Sequence, residues 1–195
     1  MWALVEDNTI TKLINNPKGM VIGDTRYSRN IFSFRWSNAE REAIGLYEVE
    51  FDNTNKKDEA YYTNTNQTFA FAGGKVTASY GSATAKALDD VTENEVVTLG
   101  LKTKHKEIIK SQAATELANT DWYATRKADA GTAIPSAVTT HRAAVRTRSG
   151  EMETLINNAA NVDALATLYA YVNTADEGDP KVMERPLGEW PVLEV

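Results

Sequence analysis

The hydrophobic pattern changes near Leu88, and this change constrains the fold more than any other feature of the sequence. Before it, short alternating apolar and polar runs indicate strands, whereas after it apolar residues recur at helical spacing. A seven-residue recurrence is formed by Val138, Val145, Met152 and Ala159. Strands and helices that are separated along a chain are typical of the α+β class. The sequence predicts a small, mostly antiparallel N-terminal β module, then a long helical hairpin and an extended acidic C-terminal tail.

The pattern and the charge together divide the chain into three predicted regions. Residues 1–90 should form the β-rich module, residues 91–172 the helical hairpin module, and residues 173–195 the acidic extended tail. This tail holds six acidic and two basic side chains, in a chain whose net charge is −6. An acidic block at a terminus is typical of a segment that interacts with solvent or with a partner.

Local signals in the first region predict two hairpins and one short helix. Residues 2–5 and 9–14 flank a short polar turn, and Gly73-Gly74 separates two alternating runs. Both arrangements are typical of antiparallel strand pairs. Ser37 and Glu40 have the spacing of a capping box, in which each residue bonds the backbone N–H of the other. The sequence therefore predicts a helix that begins after Ser37.

The helical hairpin is predicted from two apolar stripes and a proline. The first stripe, which starts after a possible cap at residues 92–95 and runs to about Lys127, comprises Val97, Leu101, Ile108, Ile109, Ala113 and Leu117. Gly100 weakens a continuous helix by about 1 kcal/mol, so a kink or a late start remains open. Pro135 suits the first turn of the second helix, where no N–H is needed. The connection is predicted at residues 128–134.

An aromatic pair, Trp122-Tyr123, lies near the predicted end of the first long helix. In one interpretation Trp122 packs on Val138 or its neighbours and locks the hairpin, since a buried aromatic side chain covers about 150–250 Å². In the other, the pair is exposed and binds a partner. Asp121 is expected to bond the indole N–H or a local backbone group, or to pair with an arginine.

The residues around this pair resemble a known family. The shared elements are Leu117, Thr120-Asp121-Trp122, Pro135, His141-Arg142 and Arg146. In this order and spacing, residues 114–168 resemble the bacteriophage tail assembly chaperone family. The dipeptide Trp190-Pro191 is similar to the Trp-Pro with which such chains tend to end.

The resemblance implies a bacteriophage tail protein that acts by binding other proteins. The favoured function is a virion component of the tail, as a fibre, adaptor or baseplate-associated structural protein, present in several copies or as a homo-oligomer. The alternative is a tail or tail-fibre assembly chaperone that is absent from the finished virion. The predicted partner-binding residues are Trp122, Tyr123, Trp190 and Pro191, and residues 187–195 are expected to add an extended segment to another subunit.

No pattern in the chain predicts catalysis, a cofactor or a metal. The chain has no cysteine and two histidines, and neither His105 nor His141 has a second histidine at metal-ligand spacing. Gly73-Gly74 lacks the lysine of a phosphate-binding loop. The negative net charge argues against nucleic acid, and no apolar run approaches the roughly 20 residues of a membrane span. We therefore expect a non-enzymatic protein made in the host cytoplasm and located in the virion tail.

Overall fold

The computed structural model describes residues 1–194 and divides the chain into two compact units, Met1–Thr84 and Ala85–Val195. The first contains an N-terminal sheet and the second contains the long helices. The predicted α+β class, with the sheet before the helices, is confirmed. Each unit buries apolar side chains of its own.

The first unit is built around a five-stranded sheet. Its elements are β1 (Trp2–Glu6), β2 (Thr9–Ile14), β3 (Met20–Ile22), β4 (Thr25–Tyr27), α1 (Asn38–Glu42), β5 (Leu46–Asp52), β6 (Tyr62–Thr63), β7 (Thr68–Ala72) and β8 (Lys75–Ser79), and β9 (Thr84–Ala85) lies at its boundary. The strand order is β2-β1-β5-β8-β7. Neighbouring strands are antiparallel except for β5 and β8, which are parallel.

The local predictions for this unit are confirmed. Strands β1 and β2 form a hairpin in which Asp7 and Asn8 adopt left-handed φ angles of 50° and 59°. Gly73-Gly74 connects β7 to β8. Ser37 and Glu40 form both bonds of the capping box, since Ser37 N donates to Glu40 Oε2 at 2.7 Å and Glu40 N donates to Ser37 Oγ at 3.3 Å. These short-range signals were therefore sufficient to place a turn and a helix start.

Two apolar clusters stabilise the first unit. One contains Ala3, Val5, Val49, Val76 and Ala78. The other contains Ile14, Ile31 and Leu46, with Trp2, Phe32 and Trp36 among the partly buried side chains around it. Arg41 of α1 is buried beside this second cluster and donates from Nε to the carbonyl of Ile31 at 2.8 Å. Its guanidinium also packs over the Trp2 ring at 4.8 Å.

The second unit begins with a β-hairpin and continues with four helices. Its elements are β10 (Val91–Glu93), β11 (Val96–Thr98), α2 (Leu101–Ala118), α3 (Asp121–Ala130), α4 (Ser136–Asn157), α5 (Val162–Tyr169), β12 (Val172–Asn173) and β13 (Met183–Glu184). Helices α2 and α4 pack against each other. Among the helices of residues 1–194, none has the length and apolar character needed to cross a membrane.

A continuous helix from about residue 92 to Lys127 is not observed, and the late start that Gly100 left open is confirmed. Residues 92–95 do not cap a helix, because Asn94 and Glu95 adopt left-handed φ angles of 48° and 66° and close the β10–β11 turn. The helix begins only after Gly100. The same run breaks again after Ala118, so that α3 is a separate helix.

The seven-residue seam is confirmed as the core of the helical unit. Val138, Val145, Met152 and Ala159 are all buried. They face buried residues of α2 and α5, which include Ile109, Ala113, Val162 and Leu165. Gly150 neither ends nor interrupts α4.

An extended acidic tail over residues 173–195 is not confirmed. Strands β12 and β13 pair in a short antiparallel hairpin. Beyond it, residues 185–191, here named the docked segment, return to the helices. Leu187 is completely buried, and its N–H donates to the carbonyl of Leu168 at 2.9 Å. Val195 lies outside the described residues.

Candidate partner-binding site

Four of the residues that carry the family resemblance, Leu117, Thr120, Asp121 and Arg142, meet where α2 ends and α3 begins. Arg142 of α4 donates from Nη1 to the carbonyl of Leu117 at 2.9 Å and to Thr120 Oγ1 at 2.7 Å. Its Nη2 bonds Asp121 Oδ1 at 2.8 Å. The Arg142 guanidinium therefore connects Leu117 in the last turn of α2, Thr120 between the helices and Asp121 at the start of α3. We call Leu117–Asp121 the junction.

Helix-end chemistry explains why the chain breaks at this junction. The last carbonyls of a helix lack intrahelical donors, and a cation stabilises them. The Leu117 carbonyl accepts from the Thr120 N–H at 3.0 Å, from Thr120 Oγ1 at 2.9 Å and from Arg142. Asp121 lies in the first turn of α3, where the positive end of the helix dipole favours a carboxylate. The Arg142–Asp121 pair therefore stabilises the end of one helix and the start of the next.

Helix α3 presents the aromatic pair to solvent. None of its ten residues is buried. The rings of Trp122 and Tyr123 stack with centroids 3.8 Å apart and an interplanar angle of 30°. The Arg126 guanidinium lies 4.7 Å from the Trp122 ring and 5.3 Å from the Tyr123 ring. This arrangement is a rigid, amphipathic surface of the kind found at protein interfaces.

The interpretation in which Trp122 locks the hairpin by burial is wrong, because 51% of the residue's surface is exposed. Val138 is buried within the α4 seam. Of the alternatives for Asp121, pairing with an arginine is confirmed, and that arginine is Arg142. Binding of a partner by Trp122 and Tyr123 stays a prediction.

Trp190 and Pro191 lie at the same junction. Together with six other residues they line a cavity of about 290 Å³, formed also by Glu116, Asn119, Thr120, His141, Val192 and Leu193. Trp190 is partly buried, and its Nε1 donates to Gln112 Oε1 of α2 at 3.3 Å. Thr120 therefore belongs to this cavity and also immediately precedes the helix that bears the aromatic pair.

The docked segment is held by its own chain, and binding of residues 187–195 to another subunit stays a prediction. Arg148 of α4 donates from Nη2 to the carbonyl of Leu187 at 2.7 Å and from Nε to the carbonyl of Glu189 at 3.2 Å. Gly188 passes directly over this guanidinium with φ of 76°, and a Cβ at that position would overlap Arg148 Nη2. Tyr171 adds a bond from its hydroxyl to Glu189 Oε1 at 2.7 Å.

The two histidines occupy different environments. His105 of α2 stacks on Tyr169 of α5 with centroids 4.8 Å apart, and burial lowers the pKa of its imidazole. His141 is buried in α4 and lines the junction cavity. Among residues 1–194, no three His, Asp or Glu side chains are grouped as a metal site would require.

The chain matches no protein-family model, and neither curated proteins nor solved structures include a match. A function for the junction and for helix α3 therefore has to be inferred from their geometry.

One signal in the sequence could have indicated that Arg142 makes specific contacts. Arg142 lies four residues after Val138 and three before Val145, which places it beside the apolar seam of α4. A charged residue at a core-facing position needs partners, because an unpaired buried charge is costly. The carbonyl of Leu117 could not have been identified as its acceptor without knowing where α2 ends.

Proposed function

We propose that this chain is a bacteriophage virion tail component, a fibre, adaptor or baseplate-associated structural protein that acts by protein–protein binding. Its partners are other phage tail proteins, and it is present in several copies or as a homo-oligomer. It is made in the host cytoplasm and resides in the virion tail. The proposal includes no catalytic residue, cofactor, metal, nucleic acid or membrane.

The observation that carries this proposal is the exposed helix α3. None of the ten residues of this helix is buried, and the Arg142–Asp121 pair attaches its first residue to α4. Isolated helices of this length are marginal in water. The stack combines an exposed Trp122 with partly buried Tyr123 and Arg126, and these are the three residue types that are enriched at interface hot spots. The surface therefore supports a binding role, with Trp122 and Tyr123 as the contacts.

Trp190 and Pro191 contribute to the proposed site in a different way. They line the junction cavity together with Val192 and Leu193, and the same cavity includes Thr120, the residue before α3. Val192 is 84% exposed. In this proposal Trp190 and Pro191 contact the partner beside the junction cavity.

The direct test is mass spectrometry of purified, nuclease-treated virions, with this chain counted against the major capsid protein. A fixed small ratio, in a multiple of three or six along the tail axis, is expected for a built-in component. Detection in neither virions nor infected-cell lysate would contradict both forms of the proposal.

The second candidate is a tail or tail-fibre assembly chaperone that leaves before the virion is complete. The same exposed stack favours it, because a chaperone needs an accessible apolar surface for its client. It predicts abundance in infected-cell lysate and absence from virions. The Trp122→Ala variant should then fail to retain a fibre protein in co-purification, whereas an exposed threonine on the same helix, changed as Thr125→Ala, should retain it.

A further inference from the structure

The β10–β11 hairpin is exposed on both of its faces. Each of its six strand residues is exposed. Val96 and Val97 are adjacent, so their side chains point to opposite faces of the hairpin, and they are 66% and 56% exposed. Two-stranded hairpins are marginally stable alone in water, and a third strand is usually needed. The valines of this hairpin are therefore left in solvent, although their burial against another surface would stabilise it.

The base of the hairpin is firmly attached to the helical unit. Asp90 Oδ1 accepts from the Gly100 N–H at 2.7 Å, and Asp89 pairs with Lys102 at 3.1 Å. Leu101 N donates to the carbonyl of Ala87 at 2.9 Å. The other end is closed by the left-handed pair Asn94-Glu95. The hairpin is thus held in a fixed position with its valines in solvent.

The two outer edges of the hairpin differ in charge. Strand β10 contains Glu93 and follows Asp89-Asp90, whereas β11 reads Val-Val-Thr and has no charge. Sheet edges that must stay unpaired are usually protected by charged residues, proline or bulges. Within the described residues β11 pairs with β10 alone. The uncharged edge is therefore the one suited to pairing with another strand.

Hairpin geometry shows which backbone groups this edge offers. A two-residue turn closes on a hydrogen-bonded pair, here Glu93 and Val96, and bonded and non-bonded pairs then alternate. The next pair, Thr92 and Val97, is therefore non-bonded. The N–H and C=O of Val97 consequently point away from β10, toward the open edge.

We propose that β11 pairs antiparallel with β11 of a second copy of this chain, with a two-fold axis beside Val97. Val97 then lies opposite Val97 of the second copy, and Val96 lies opposite its Thr98. No charged residues oppose each other, and the two hairpins form one four-stranded sheet. The same contact between β10 strands would place Glu93 opposite Val91, which leaves a carboxylate beside a valine. Symmetric, self-complementary contacts of this kind are the commonest in homo-oligomers. This inference rests on the hairpin and not on a phage tail role.

The first test removes, in two separate variants, the backbone N–H groups of Val97 and Thr92 that point away from the hairpin. Val97→Pro removes the donor that faces the second copy, and Thr92→Pro removes the equivalent donor on the opposite edge, while neither donor is used within the hairpin. Sedimentation velocity at micromolar concentration should show a dimer for the unmodified chain and for Thr92→Pro, and a monomer for Val97→Pro. A monomeric unmodified chain, or a dimer that survives Val97→Pro but not Thr92→Pro, would overturn the proposal.

The second test does not depend on proline being tolerated. Because the chain has no cysteine, Val97→Cys introduces a single thiol beside the axis. Directly opposed bonded residues have Cα atoms about 5.5 Å apart, within the range for a disulfide. Thr92→Cys is the matched control, since its thiols would be about 14 Å apart across three strand spacings. Mild oxidation should link Val97→Cys chains at least tenfold more than Thr92→Cys chains, and equal or reversed linking would contradict the pairing.

Discussion

At the scale of single residues, two arginines of α4 join segments that are distant in the sequence. Arg142 binds the junction, and Arg148 binds the docked segment. Both guanidinium groups donate to main-chain carbonyls as well as to carboxylates. A guanidinium suits this task because it offers five donors in a fixed plane. These contacts attach the junction and the docked segment to the same helix.

Arg142→Ala should destabilise the protein by about 3 kcal/mol, because it leaves the Leu117 carbonyl, Thr120 and Asp121 without their shared donor. Chemical denaturation monitored by circular dichroism measures the change. The control is Arg146→Ala, four residues further along α4, whose exposed side chain bonds only the carbonyl of Arg142. It should change stability by less than about 0.5 kcal/mol. Equal losses in the two variants would contradict the role given to Arg142.

Gly188→Ala should release the docked segment. The new methyl group would overlap the Arg148 guanidinium, and the residue would keep a φ that L side chains rarely adopt. Gly178 also has positive φ but open space around its Cβ position, so Gly178→Ala bears only the backbone cost of about 1–2 kcal/mol. Gly188→Ala should cost at least about 2 kcal/mol more, because the bonds from Arg148 are also lost. Hydrogen exchange at residues 185–191 should rise in Gly188→Ala alone, and unchanged exchange would refute the contact.

At the scale of elements, signals within a few residues of each other could be interpreted from the sequence, and signals that needed a distant partner could not. The capping box at Ser37 and the Gly73-Gly74 hairpin were identified because both partners lie close in the chain. Residues 92–95 also fit a capping pattern, but the left-handed conformations of Asn94 and Glu95 favoured a hairpin turn.

At the candidate site, too, features that depend on distant parts of the chain were hard to predict from the sequence. The family resemblance selected Thr120, Asp121 and Arg142, and the structure brings these residues together. The break between α2 and α3 was not predicted, because the run is apolar at helical spacing on both sides of it. The sequence left both burial and exposure of Trp122 open, since burial of an aromatic residue depends on whether another element covers it, and the structure leaves 51% of Trp122 exposed.

The α2–α5 contact should make stability depend on pH. Burial against Tyr169 lowers the pKa of His105 below its usual 6.5. The unfolded chain therefore binds a proton more readily than the folded one, so the free energy of unfolding should fall as the pH drops below about 6.5 toward the folded pKa. Urea denaturation between pH 7.5 and pH 5 would measure this slope. His105→Phe keeps an aromatic ring but cannot be protonated, and it should flatten the slope in this range; an unchanged slope would assign the dependence to other groups.

At the scale of the whole molecule, the C-terminal residues belong to the helical unit and not to a separate tail. Leu187 is completely buried, and Arg148, Tyr171 and Gln112 all bond residues of the docked segment. A deletion intended to remove a partner-binding arm would therefore also remove part of the core. Loss of binding after such a deletion would say nothing about a partner unless folding were measured first.

Removal of residues 187–195 should lower the stability of the chain by about 3 kcal/mol or more, which is the cost of deleting a buried leucine. Removal of residues 192–195 is the matched control, because it keeps Leu187, Trp190 and Pro191 in place. The shorter deletion should leave the midpoint of thermal unfolding within about 3 °C of the full chain. If the longer deletion is equally harmless, the docked segment contributes no stability.

The Arg148 contacts predict which positions of the docked segment should vary among homologous chains. The guanidinium binds the carbonyls of Leu187 and Glu189, and carbonyls are the same in every residue type. The bonds from Arg148 therefore place no demand on the side chain at position 189, which is held instead by Tyr171 and Arg185, whereas Gly188 and the arginine must persist together. As homologous chains are sequenced, this glycine and this arginine, spaced about forty positions apart, should vary jointly while the residues around them diverge. Frequent loss of one without the other would show that the docked segment is a peculiarity of this chain.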